Sequence, residues 1–177
     1  MTETQDNSPD RCSPVSSFDW SAFNTQIIAA ATLDSICTIW DIDMQQPMAS
    51  TRAHPSEIYD IAFSPAVMDT FITCGKDGSI RLFDMRCADK YSMFHKSKDS
   101  LPILRVAWNH INSTTVAFIT HNQQDVTIID IRSPEQELKL STHVAPVSAI
   151  EWCPLQSNYL VSVGEDGKVG MWVCTNV

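Results

Sequence analysis

The stretch KDGSIRLFDMR at residues 76–86 sets an Asp-Gly pair before alternating apolar residues, an aromatic and an acid. A version of it returns near the other end of the chain as EDGKVGMWVCT, residues 165–175. Asp-Gly ahead of such an alternation is a hairpin signal. Glycine accepts positive φ without steric cost, and the alternation turns one face of each strand toward a core. A chain that writes the phrase twice calls for a search for a repeat.

Four segments share an opening: PVSSFDW (14–20), EIYDIAF (57–63), PILRVAW (102–108) and PVSAIEW (146–152). Each ends on an aromatic, and Trp20, Phe63, Trp108 and Trp152 lie 43, 45 and 44 residues apart. A second phrase follows each opening, as TIWDI, RLFDM, TIIDI and VGMWV. Its anchors Trp40, Phe83, Ile129 and Trp172 are 43, 46 and 43 residues apart. Two independent landmarks thus share one period in the mid-forties. Within a period, short β-type runs alternate with turn residues, as in IYDIAF, TFITC, SIRLFDM and KYSMFH of the second unit. Four strands per unit at this period predict an all-β chain of about four β-propeller blades. The units are expected at 12–54, 55–97, 98–143 and 144–177, behind a flexible polar tail at 1–11.

Composition narrows the function. The 177 residues are 44% hydrophobic and 19% charged, the proportions of a globular chain with a real core. The net charge is −9, and the basic residues are scattered singly. Without a dense positive footprint, direct nucleic-acid binding is not expected. The six cysteines, Cys12, Cys37, Cys74, Cys87, Cys153 and Cys174, form no C-x-x-C pair, so a zinc site is not expected. Several fall in strand runs and read as free thiols of a reducing compartment. Neither a leader-like opening nor a membrane-length apolar run is found, which predicts a cytoplasmic and nuclear protein without a membrane partner.

Taken together, the His near each unit boundary, the turn Asp-Gly and the aromatic-Asp phrases resemble the WD-repeat β-propeller family. In that family a His, a strand Ser or Thr, the turn Asp and a Trp form a hydrogen-bonded network within each blade. The resemblance places all four in the last unit, at His143, Ser162, Asp166 and Trp172. The second unit has His54, Thr73 and Asp77, with Phe83 in place of the Trp. The first keeps Asp34 and Trp40 but has Ala30 for the hydroxyl; the third, with Ile119, Gln123 and Ile129, keeps little beyond its strand pattern. A Ser, His and Asp in one unit also fit a hydrolase triad. Their recurrence at the blade period, with Trp as a fourth member, favours the structural network. The three glycines of GEDGKVG (164–170) sit in a hairpin and not at a strand-to-helix turn, so a phosphate cradle is not expected.

The phrases SSFDW, CTIWDI, EIYDIAFS, DGSIRLFDMR, PILRVAWN and TIIDIRSP are similar, in order, to one branch of the family. That branch holds the plant regulators of anthocyanin pigmentation and trichome fate, and an animal adaptor of dual-specificity tyrosine-regulated kinases. The resemblance implies a seven-bladed ring of which these units are part. It also implies a non-enzymatic scaffold for protein kinases or transcription factors, without a cofactor. The expected partner face carries Pro55, Ser56, Glu57, Lys76, Asp77, Pro102, Pro146, Glu165 and Asp166. Glu57, Lys76 and Glu165 are the candidate contacts, with plain solvated charge as the other reading. On the opposite face FDMR (83–86) and IDIR (129–132) resemble the W-D-x-R boxes that dock onto the adaptor of a cullin-RING ubiquitin ligase. Asp84, Arg86, Asp130 and Arg132 are then the docking candidates, unless each Arg only satisfies its own loop.

Overall fold

The computed structural model describes residues 13–87 and 90–174. The expected tail at 1–11 and Cys12 lie outside the described residues. The described chain is built of antiparallel strands, with one short 3-10 turn at Met85–Cys87. The first sheet holds β1 (Val15–Trp20), β2 (Ile27–Thr32), β3 (Ile36–Asp41) and β4 (Gln46–Arg52) in sequence order. The second holds β5 (Ile58–Phe63), β6 (Thr70–Gly75), β7 (Ser79–Asp84) and β8 (Tyr91–Lys96). The third holds β9 (Ile103–Trp108), β10 (Thr115–Thr120), β11 (Asp125–Asp130) and β12 (Ser133–Ser141). The fourth holds three strands among the described residues, β13 (Val147–Trp152), β14 (Tyr159–Gly164) and β15 (Val169–Val173). These are four propeller blades.

The sequence landmarks become one layer in each blade. The closing aromatic of the first strand and the anchor of the third both pair with the same second-strand residue. The resulting rows are Trp20/Ile28/Trp40, Phe63/Phe71/Phe83, Trp108/Val116/Ile129 and Trp152/Leu160/Trp172. In the second blade Phe71 stacks on Phe83 at 5.2 Å and meets Phe63 edge-on at 5.9 Å. The hairpin turns take positive φ at Gly78 and Gly167, and at Ser35 and Asn122 where no glycine is present.

The rows of the second, third and fourth blades each pack against the opposite face of the preceding blade. Phe63, Phe71 and Phe83 cover Ala29, Ala31 and Ile39 of the first blade. Trp108, Val116 and Ile129 cover Ile72, Cys74 and Ile80 of the second. Trp152, Leu160 and Trp172 cover Ala117, Ile119 and Ile128 of the third. Large-on-small packing of this kind fills the gap between two twisted sheets at interior density. Polar ties run the same way: Asp19 accepts the Phe63 N–H at 2.7 Å, and Asp60 accepts the Val106 N–H at 2.9 Å and the Ser17 hydroxyl at 2.6 Å. Burial raises the Asp60 carboxyl above its ordinary value, against the lowering by those bonds and by Arg105.

Register corrects one expectation. Ser162 pairs with Ile150, Thr73 with Ile61 and Ala30 with Phe18, and the residue so placed in the third blade, paired with Val106, is Phe118. Ile119, assigned to the hydroxyl position from sequence, points to the other face because side chains alternate along a strand. Of the cysteines, Cys37, Cys74 and Cys174 are buried, Cys87 is exposed and Cys153 is intermediate. Burial pushes the Cys37 thiol up to about 12, so it stays protonated and inert.

Candidate functional site

The fourth blade joins its four polar residues in one chain of hydrogen bonds. Trp172 Nε1–H donates to Ser162 Oγ at 2.8 Å, Ser162 Oγ meets His143 Nε2 at 2.8 Å, and His143 Nδ1 meets Asp166 Oδ1 at 3.1 Å. The carboxylate can only accept, so Nδ1 carries the proton and Nε2 takes the serine hydroxyl. Asp166 also accepts the backbone N–H groups of Val144 and Lys168. Burial would raise this carboxyl, but those two bonds and His143 hold it below its ordinary value. The Ser-His-Asp order is that of a hydrolase triad. However, Ser162 has no exposed surface and Trp172 fills its remaining side, so no substrate reaches the oxygen. Gly170 leaves the necessary room, since a Cβ there would stand 2.7 Å from Ser162 Oγ and 3.1 Å from Trp172 Nε1.

In the second blade His54 Nδ1 meets Asp77 at 3.0 Å and Nε2 meets Thr73 Oγ1 at 2.8 Å. Phe83 supplies no donor, and the space is closed by a residue that sequence reading missed. Arg81 donates to Asp77 Oδ2 at 2.9 Å, to Ser79 Oγ at 3.1 Å and to the Ala53 carbonyl at 2.8 Å. Its guanidinium also lies 4.2 Å from the centre of the Tyr91 ring. An arginine on a strand between Ser79 and Phe83, both inward-facing, was the available signal. Burial opposes ionisation of Asp77, yet the bonds from His54 and Ser79 leave its carboxyl well below the ordinary range.

The remaining two blades are simpler. Asp34 accepts a bond from Thr32 Oγ1, Trp40 is partly exposed on the outer face, and no hydrogen bond joins Asp34 to Trp40 among the described residues. At the third blade, His95 from β8 of the second packs its ring on Phe118 at 4.7 Å, an apolar counterpart of the His-hydroxyl contact elsewhere.

The alternation of strands puts the Asp-Gly hairpins and the loops before each first strand at one end of the blades. At that end Glu57 and Lys76 bind each other at 2.8 Å across an exposed hairpin base. Glu165 lines a groove of about 390 Å³ with Tyr59, Arg105, His121 and Asn122, apart from the Glu57–Lys76 pair. Asp77 and Asp166, expected on this surface, turn inward to their histidines, and Ser56 Oγ is buried. Pro55 is exposed, and Pro102 and Pro146 are half-buried.

At the opposite end two Asp-Arg pairs adopt one geometry. Arg86 donates from Nε to Asp84 Oδ1 at 2.9 Å and from Nη2 to Oδ2 at 2.6 Å, and its backbone N–H reaches Oδ1 at 2.9 Å. Arg132 repeats this on Asp130 at 3.1, 2.6 and 2.8 Å. The guanidinium holds each carboxyl down, to about 2 in both cases. Both arginine side chains are more than 70% exposed, so a fork already oriented by its own aspartate faces solvent. Among the described residues no group of His, Cys, Asp or Glu could hold a metal ion.

Comparison with known proteins fits this geometry. The family model for the WD domain, G-beta repeat, matches residues 45–84 and 134–172. Each match covers the last strand of one blade and the first three of the next, closing on the anchor row. This chain is a WD-repeat protein. It is 34% identical over 162 residues to the "DDB1- and CUL4-associated factor 7 homolog" of Dictyostelium discoideum, covering 91% of this chain and 50% of that protein. It is 32% identical to an uncharacterized WD repeat-containing protein of Schizosaccharomyces pombe, over 90% of this chain and 40% of that protein. A WD repeat-containing protein of Saccharomyces cerevisiae is 29% identical, over 90% of this chain and 34% of that protein. The WD-repeat chain thus spans half or less of the length of these relatives. The four-residue chain of hydrogen bonds is complete in the fourth blade and closed with arginine in the second.

Proposed function

We infer that this chain is a non-enzymatic scaffold of cytoplasm and nucleus whose loop faces bring regulatory proteins together. Protein kinases or transcription factors are the partners that the family branch implies. A scaffold acts by raising the effective concentration of one bound protein near another. The observation that carries the reading is the division of polar groups between core and surface. The residues that resemble catalytic machinery are buried in blade networks, while the exposed charges stand on loop ends where a rigid fold presents them. Glu57, Lys76 and Glu165 are the contact residues assigned to the hairpin end. Reversing all three, as Glu57→Lys, Lys76→Glu and Glu165→Lys, should weaken binding of a purified dual-specificity tyrosine-regulated kinase at least tenfold. Unchanged affinity in a titration would remove these residues from the reading.

A second reading is favoured by the twin Asp-Arg forks. Two arginines held alike at one end of adjacent blades suit a partner that reads both together. A relative whose name associates it with DDB1 and CUL4 supports a ubiquitin-ligase adaptor as that partner. Substituting Arg86→Ala and Arg132→Ala together should abolish binding to purified DDB1 and leave kinase binding intact. Full retention of DDB1 binding would sink this second reading alone.

A further inference from the structure

The place that the Arg81 guanidinium takes in the second blade exists in the third as a cavity. Arg81 pairs with Thr73 across its hairpin and Thr127 pairs with Phe118, so Thr127 is the counterpart of Arg81. Asp77, Ser79 and the Tyr91 ring surround Arg81. Asp125 holds the place of Ser79, two residues ahead on the same strand. Glu137 holds the place of Tyr91, since it pairs with Ile129 as Tyr91 pairs with Phe83. Gln123 lies four residues before Thr127, as Asp77 lies before Arg81. Threonine is far shorter than arginine, and a cavity of about 160 Å³ opens there, lined by Gln123, Asp125, Thr127 and Glu137. A single water needs only ~10–15 Å³, so the space admits a side-chain head group.

One side chain in the wall points to a ligand by itself. His95 is 7% exposed and lines the cavity, yet its ring makes no hydrogen bond among the described residues. His54 and His143 are bonded at both ring nitrogens. A buried polar group without a partner calls for one. Burial lowers the His95 pKa, so above about pH 6.5 the imidazole is neutral and one nitrogen can accept a bond. The wall carries Asp99, Asp125 and Glu137 against Lys98 and Lys139. Lys98 reaches Glu137 at 3.9 Å, but its side chain is 83% exposed and that of Glu137 only 18%. So exposed an ammonium holds its partner weakly. Lys139 is exposed and makes no ion pair among the described residues. We propose that this cavity receives the arginine side chain of a partner protein, with Asp125, Glu137 and His95 accepting its N–H groups. A guanidinium is planar, presents five donors and is less hydrated than an ammonium. The net charge of −9 draws cations toward the chain. The cavity shares no residue with Glu57, Lys76 and Glu165 or with the Asp-Arg forks, so it stands or falls apart from both.

Nuclear magnetic resonance of the complete 177-residue chain tests the proposal, with the His95 ring followed during titration with a capped Gly-Arg-Gly peptide. The expected result is a saturable shift of the ring signals. The same peptide with citrulline, the neutral isostere of arginine, should give none. Glu137→Gln should weaken the arginine peptide about tenfold, the loss expected for one charge-assisted hydrogen bond. Thr127→Arg should abolish its binding, because the chain then fills the cavity with a guanidinium of its own, as Arg81 does in the second blade. No saturable shift, an equal response to citrulline, or undiminished binding by Glu137→Gln would overturn the proposal. Free arginine that binds as tightly as the peptide would overturn the assignment to a partner's side chain.

Discussion

At the scale of single residues, the blade networks are satisfied donor by donor, and their failure modes follow. Trp172→Phe would leave Ser162 with one partner fewer and remove one buried hydrogen bond. The expected loss is about 1 kcal/mol in a urea titration. Gly170→Ala should cost more, because its Cβ would intrude on Ser162, Trp172 and His143 at once. Arg81→Met is expected to destabilise by about 2 kcal/mol, since it leaves a partly buried carboxylate short of a charged partner and takes the cation from the Tyr91 ring. The serine network was legible in the sequence because its four members are polar and recur at the repeat period. Arg81 was not, because it has no counterpart at the same place in the other units. Asp77 and Asp166 were placed both in the network and on the hairpin face, and the structure turns their carboxylates inward to His54 and His143.

At the scale of strands and blades, the period of apolar and aromatic residues carried the fold. First strands, hairpins and third strands could be placed because each has an aromatic or Asp-Gly landmark. The third blade was harder. Without a hydroxyl or turn aspartate to anchor it, a one-residue slip moved the assignment from Phe118 to Ile119. His95, its ring partner, lies eight residues before Ile103, where His54 and His143 each lie four before their first strands. This His-Phe contact gives the junction between second and third blades a pH dependence. Burial lowers the His95 pKa from its ordinary value; Lys98 lowers it further, against Glu137 and Glu135, which raise it. The unfolded chain therefore binds its proton first, and stability is full above about pH 6.5 and declines as pH falls toward the lowered folded value. Midpoints of urea unfolding between pH 7.5 and 5 should drop for the native chain. For His95→Phe the part of that slope due to this residue should vanish.

At the scale of the whole molecule, the blades separate two surfaces, and the sequence could assign them to opposite faces but not show how each is built. The candidate charges at the hairpin end turn out to be divided, Glu57 bonded to Lys76 on one blade and Glu165 in a groove formed with other blades. The two Asp-Arg pairs proved more uniform than their short motifs suggested, two forks with closely similar distances on neighbouring blades. A scaffold needs such separation, so that one partner can be held without displacing another. Hydrogen-deuterium exchange of the full chain, with and without a purified dual-specificity tyrosine-regulated kinase, tests that claim most directly. The expected result is slowed exchange at residues 55–57, 76–78 and 165–167, with 84–86 and 130–132 unchanged. Binding without protection at the hairpin end, or no binding at all, would contradict the account.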